Sequence, residues 1–256
     1  MLTKSEVIHF AKRIVQCEDC GSRKLCFANI FSQHEREIFN SFINKVQAYS
    51  KDQILFSAGE QVANLYVLKS GSAKSYLVSE DGEEQIIGFH YPGEILGLDD
   101  LTNDLHKLSI VFLEDVKVCI ITKNACETLA KKIPLLSQEI ICRLNKEIDH
   151  AHQLQLLTNH LTAEQRIGAF ILELSERMNL IGLSGTSFKL SMSRADIANY
   201  LGIAKETASR LFKKLERDRL IQVSNKNLEI LDFQGLRRRV HTCDKCSVVF
   251  LPRILD

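Results

Sequence analysis

The chain has 256 residues and a mass of 29.1 kDa, with 45% hydrophobic and 25% charged residues. That composition supports a sizeable core and excludes a disordered chain. No apolar run approaches the ~20 residues of a membrane span. The opening MLTKSEVIHFAKRIVQ lacks the apolar stretch of a signal peptide, so a cytoplasmic protein with no membrane partner is expected. The net charge of +1 conceals an asymmetry: residues 52–127 carry 13 acidic and 5 basic side chains, residues 189–219 carry 8 basic and 4 acidic. Two solvated surfaces would give the same counts, but an acidic sensor joined to a basic nucleic-acid module is the more specific reading.

Residues 1–30 bear cysteines and show no clear periodicity. Over residues 31–49, Ile38, Phe42, Ile43 and Val46 form an apolar stripe that predicts a helix. The next 75 residues or so read as short strands, QILFSAGE, NLYVLKSG, AKSYLVSEDG, EQIIGFHYPGE, KLSIVFLE and VKVCIIT, punctuated by glycine turns such as Ser79-Glu80-Asp81-Gly82. Many short strands with regular turns predict an antiparallel barrel or jelly roll. Near Lys123 the period changes from 2 to 3.6. Asn124 is placed to cap a short helix, and Pro134 opens a long one reaching about His160.

On that long helix Ile141, Leu144, Ile148, Ala151, Gln155 and Thr158 follow the 3-4 spacing of a coiled-coil seam. Leu154, Leu157 and Leu161 lie on another face, available for intramolecular packing. Further on, SMSRADIANYL reads as a helix with Ser193 as N-cap and Asp196 closing a capping box, ended by Gly202. A second helix follows from Ala204 to Arg217. Small Ala198 and Gly202 allow the two to cross tightly, a helix-turn-helix signature. The segments FKLSM, LIQVS and LEILD, with a turn over residues 225–227, read as a wing. Glu206, Ser209 and Arg210 share one face of the second helix. Arg pairs with guanine, Glu accepts from cytosine, and Ser adapts. Lys205, Lys213, Lys214 and Arg217 suit phosphate or solvent. A tail from Leu236 holds three arginines and a cysteine pair, Cys243 and Cys246.

The 8 cysteines belong to a reducing compartment, where metal or redox roles are commoner than disulfides. Cys17-x2-Cys20-x5-Cys26 offers three thiolates, and Cys119 lies in the last strand segment. Zinc sites, redox pairs and iron–sulfur sites all use a CxxC pair. A zinc site would usually add a second pair at short spacing, and none follows. Cys119 alone reads equally well as a small core residue. A dithiol oxidoreductase would need a thioredoxin-like βαβ pattern, which is absent, so no enzyme is expected.

The order of three cysteines, barrel, fourth cysteine, long helix and helix-turn-helix resembles the oxygen-responsive Fnr regulators of the Crp–Fnr family. The segments QCEDC, KLC, LYVLKSG, EQIIGFHYPGE and ETASRL carry the resemblance, which spans about residues 15–235. It implies an α+β chain: a cluster-binding arm (1–30), a cyclic-nucleotide-binding-like sensor barrel or jelly roll (31–130), a dimerisation helix (131–160), a winged helix-turn-helix (161–235) and an extension of unknown role (236–256). It implies that Cys17, Cys20, Cys26 and Cys119 hold an oxygen-labile [4Fe–4S] cluster; such a cluster would carry a net charge of −2, and Arg23 and Lys24, inside the cysteine loop, are expected from their position to offset some of it. Cys126 and Cys142 match no ligand and are expected to be packing residues. The resemblance further implies a homodimer through Ile141, Leu144, Ile148 and Ala151. That dimer would read a palindrome like TTGAT…ATCAA in double-stranded DNA through Glu206, Ser209 and Arg210, as a transcription activator with RNA polymerase as a partner. By the same resemblance, the best-known Fnr proteins carry an acidic residue at the seam position that Ala151 occupies here, three after Ile148. The family's nucleotide binders hold the cyclic phosphate with an Arg followed by a small hydroxyl residue; here Lys107, Leu108 and Ser109 stand instead, so no cyclic nucleotide is expected, and Glu94 is read as a turn carboxylate. A zinc-stabilised or thiol-redox regulator of the same family is the alternative.

Overall fold

Alternation along the strands gives the N-terminal half two apolar faces. The computed structural model describes residues 17–240 except 18, 19, 23, 101 and 103. Its first eight strands are β1 (Lys45–Tyr49), β2 (Ile54–Phe56), β3 (Asn64–Ser70), β4 (Ala73–Val78), β5 (Glu84–His90), β6 (Ile95–Leu96), β7 (Ser109–Phe112) and β8 (Val116–Thr122). They form two antiparallel four-stranded sheets, ordered β1-β8-β3-β6 and β2-β7-β4-β5. Of the expected barrel or jelly roll, the jelly roll forms: two facing sheets and not a closed cylinder. In β8, Val116, Val118 and Ile120 turn into the sandwich with Phe112 and Leu68, while Cys119 and Ile121 turn outward. Cys119 pairs in register with Val46 of β1 and Val67 of β3.

The outward face is covered by the 3₁₀ turn Phe27–Ile30, by α1 (Gln33–Phe42) and by α2 (Lys123–Lys132). Phe27, Phe31 and Phe39 meet edge to face there, with centroids 5.1 to 5.8 Å apart. Helix α1 begins at a capping box between Ser32 and Glu35 and is shorter than the stripe predicts. Val46 belongs to β1, because residues 45–49 gain a full ladder with β8 that outweighs the local helical spacing. The cap of α2 is Thr122, which accepts from the Ala125 amide at 3.2 Å, in place of Asn124.

Helix α3 (Pro134–His160) starts on the expected proline and runs 27 residues, about 40 Å. Leu157 and Leu161 are buried, while Ile141 and Ile148 remain 58% and 53% exposed. Helix α4 (Ala163–Leu180) follows. The C-terminal unit holds β9 (Ser187–Lys189), α5 (Arg194–Tyr200), α6 (Lys205–Arg217), β10 (Ile221–Ser224), β11 (Asn227–Ile230) and α7 (Phe233–Val240), with the three strands ordered β10-β11-β9. The Ser193–Asp196 capping box forms as expected, and Gly202 takes φ +62° beyond α5. Leu236 and Val240, placed by sequence in a tail, are buried within α7 against α4. Cys243 and Cys246 lie outside the described residues.

The two halves are joined along the free edge of β5. The Asn199 side chain accepts from the Ile86 amide and donates to the Glu84 carbonyl, both at 2.7 Å, extending the strand's hydrogen bonding into α5. Lys74 pairs with Asp196 at 2.7 Å beside it.

Candidate functional site

Cys17, Cys20, Cys26 and Cys119 line one pocket together with Arg36, Lys69, Ser22 and Val67. The topology brings them together. Strand β8 delivers Cys119 from its outward face, and the arm folds over it. The arm is pinned by the Cys17 amide donating to Asn40 Oδ1 at 3.3 Å, and by the Ser22 hydroxyl donating to the Lys69 carbonyl. Cys26 precedes the 3₁₀ turn whose Phe27 anchors the apolar cluster. Gly93, at φ +93°, lets the arm pass: a Cβ there would stand 2.4 Å from the Leu25 carbonyl oxygen. Gly21, between the second and third cysteines, faces open space.

Burial pushes the Cys17 thiol up to about 11 and Cys119 up to about 12, with the neighbouring thiols adding to the rise. Cys26 rises chiefly for the same reason. Such thiols keep their protons at neutral pH unless a metal centre displaces them. Among the described residues no three His, Cys, Asp or Glu side chains converge tightly enough to hold one metal ion. Cys126 is buried, as expected of a packing residue, but Cys142 is exposed on the outer side of α3. Lys24 is exposed and does not line the pocket; Arg23 lies outside the described residues.

A second cluster, invisible in the sequence pattern, sits where the sheets, α3, α4 and α5 meet. Arg177 of α4 reaches Glu173 at 3.2 Å and Glu94 at 3.4 Å, and donates to the Phe89 carbonyl at 3.2 Å. Glu94 also meets His90 at 3.3 Å, and His150 of α3 lies 3.1 Å from Glu173 and 3.2 Å from the Tyr200 hydroxyl of α5. Glu94 is thus more than a turn carboxylate: it links β5 to the helix that carries the C-terminal unit. An adjoining cavity is lined by Glu94, Arg143, Lys146 and Arg177, whereas Lys107 is exposed and stands outside it.

Burial alone would raise the Glu173 carboxyl, but the Arg177 guanidinium and the His150 hydrogen bond reverse this and hold it at about 2, below an ordinary 4.5. A carboxylate depressed in the folded state stabilises above its unfolded pKa and loses that contribution as pH falls towards its folded value. Glu173 therefore supports the fold by at most about 3 kcal/mol near neutrality, lost between about pH 4.5 and 2. Urea denaturation of wild type and Glu173→Gln should show a gap at pH 7 that narrows at pH 3.5. A gap that does not change with pH would show that the Glu173 charge is not what stabilises the junction.

On α6, Lys205, Glu206, Ser209, Arg210, Lys213 and Arg217 share one open face. Arg210 and Glu206 are exposed, while Ala208, Phe212 and Leu215 are buried behind them, so core and recognition faces separate cleanly. Lys214, grouped by sequence with the phosphate contacts, instead pairs with Glu164 of α4. Arg166 ties the turn to the rest: its guanidinium donates to the carbonyls of Leu161 at 3.0 Å, Leu201 at 3.1 Å and Thr158.

A winged helix-turn-helix carried behind a jelly roll and a long helix defines a DNA-binding transcription regulator. Residues 46–132 match the cyclic nucleotide-binding domain and residues 165–239 the Crp-like helix-turn-helix domain. The chain is 37% identical over 222 residues to the anaerobic regulatory protein of Haemophilus influenzae, covering 87% of this chain and 86% of that one. It is 36% identical over 222 residues to the fumarate and nitrate reduction regulatory protein of Yersinia pestis, covering 87% and 89%. The solved structure of FixK2 from Bradyrhizobium japonicum superposes with a TM-score of 0.70 at 27% identity, over 76% of this chain and 96% of that one. The chain belongs to the Crp–Fnr family, whose members are transcription regulators and not enzymes. Among the described residues no helix is long and apolar enough to cross a membrane.

Proposed function

We propose that this chain is an oxygen-responsive regulator in which Cys17, Cys20, Cys26 and Cys119 hold a [4Fe–4S] cluster. The observation that carries the reading is the meeting of Cys119, from the outer face of β8, with the three arm thiols in one pocket. A single zinc draws four sulfurs to ~2.3 Å of one point. A zinc-stabilised regulator would draw on the same four thiols, so the metal content decides between the two. Relatives named for anaerobic and for fumarate and nitrate regulation support the oxygen response. When bound, the cluster supplies a link between arm and β8 that oxygen breaks.

The chain's own residues then carry the signal. A tethered arm holds Phe27 in the apolar cluster shared with Leu136 and Ile140 of α3, and Arg143 of α3 stacks over the Phe27 ring at 5.8 Å. This sets the seam of Ile141, Leu144, Ile148 and Ala151 against the same seam of a second copy. Two α6 helices then address half-sites of a palindrome about one helical turn apart. Losing the link loosens the arm and disfavours the dimer, by no more than the difference in cluster affinity between the two states. Recruitment of RNA polymerase in the cytoplasm follows the same family logic.

Iron and sulfide analysis with a visible spectrum, on protein purified under nitrogen and again after air, tests this. About four irons per chain and a brown chromophore lost in air are expected. Colourless protein holding one zinc would refute the cluster.

The seam gives a further expectation. Ala151 places no carboxylate opposite its partner, so air-exposed wild type should sediment with more dimer than Ala151→Asp, by about 1–3 kcal/mol. Equal sedimentation of the two would remove Ala151 from the seam.

A further inference from the structure

Four thiolates around a [4Fe–4S]2+ core leave a net charge of −2, and a buried uncompensated charge is costly. Compensation does not come from Lys24, whose side chain is exposed. Among the described residues, the cations that line the thiol pocket are Arg36 of α1 and Lys69 of β3. Both positive charges oppose the rise of the Cys17 thiol, and Lys69 also opposes that of Cys119.

Arg36 carries a second, independent feature. One terminal nitrogen of its guanidinium donates to the Phe31 carbonyl, which fixes the planar fork. Its Nε is buried and has no hydrogen-bond partner. A buried N–H left unpaired is disfavoured, so a donor held in that state beside four thiols marks an acceptor that belongs there. Thiolate and sulfide sulfurs accept such bonds, and hydrogen bonds and charge at the sulfurs tune a cluster. Arg36 lies three residues before Phe39 and seven before Ile43, on the inward side of α1, but helical spacing alone does not say that this side meets the thiols.

We propose that Arg36 is a positioning and charge-compensating residue of the cluster site, its Nε–H reserved for a sulfur of the bound group. The proposal rests on the cluster reading above. Lys69, on β3, supplies a second charge to the pocket without the fixed fork.

Wild type, Arg36→Leu and Arg36→Lys are purified under nitrogen and assayed for iron and sulfide. Wild type without iron and sulfide overturns the cluster reading itself and this proposal with it. With wild type loaded, two readings address Arg36 alone: the reduction potential of the cluster, and the rate of iron loss to a chelator under nitrogen. Arg36→Leu should shift the potential to a more negative value and lose iron about tenfold faster, the scale of one charged hydrogen bond. Arg36→Lys should fall between the two. A loaded Leu variant with wild-type potential and wild-type iron loss overturns the proposal, even if it melts at a lower temperature, because that outcome marks a purely structural arginine. Should the Leu variant fail to fold, the Lys variant decides: faster iron loss than wild type supports the reserved donor, and an unchanged rate overturns it.

Discussion

Cys119→Ser purified under nitrogen is expected to hold almost no iron, against about four atoms per wild-type chain. Cys119 is the only one of the four thiols carried by the sheet; the other three lie on the arm. Its register between Val46 and Val67 fixes where a cluster would sit, so losing it removes the anchor and not merely one ligand. Ser is nearly the same size, so the β-sandwich itself should fold, and circular dichroism would confirm that. Cys126→Ser and Cys142→Ser serve as controls and should keep their iron, the first with some loss of stability because Cys126 is buried. Full iron content in Cys119→Ser would return Cys119 to the role of a packed core residue and leave the arm without its fourth ligand.

Arg210→Ala is expected to weaken binding to the cognate palindrome by about 1–3 kcal/mol, roughly 5- to 150-fold, and to relax the preference for guanine. Arg210 projects from the exposed face of α6, whose opposite face is fixed by Ala208, Phe212 and Leu215, so the substitution should change affinity without changing the fold. Lys213→Ala should weaken cognate and random DNA alike and lower the salt slope by about one unit, as expected for one phosphate contact. Titrations on both DNAs at several salt concentrations separate the two roles. Equal losses on cognate and random DNA from both variants would refute this division.

The sequence by itself determined whatever depends on local pattern. Period-2 segments with glycine turns specified the strands of the jelly roll. Pro134 and the 3-4 apolar spacing specified α3, and Ser193, Asp196 and Gly202 specified α5 and its turn down to the capping box. The separation of Arg210 from Ala208 on α6 was legible because helical geometry alone assigns faces. Tertiary structure decided what depends on long-range pairing. Residues 45–49 read as helix until β8 offers them a ladder, and Lys214 reads as a phosphate contact until Glu164 of α4 stands beside it. Glu94 and Arg177 are 83 residues apart, and no spacing rule links them. The same holds for Arg36 and the thiols, and for Cys119 opposite the arm. Local hydrogen bonding and apolar periodicity are short-ranged and written residue by residue, whereas the partner of a buried charge is set only when distant segments pack and exclude water.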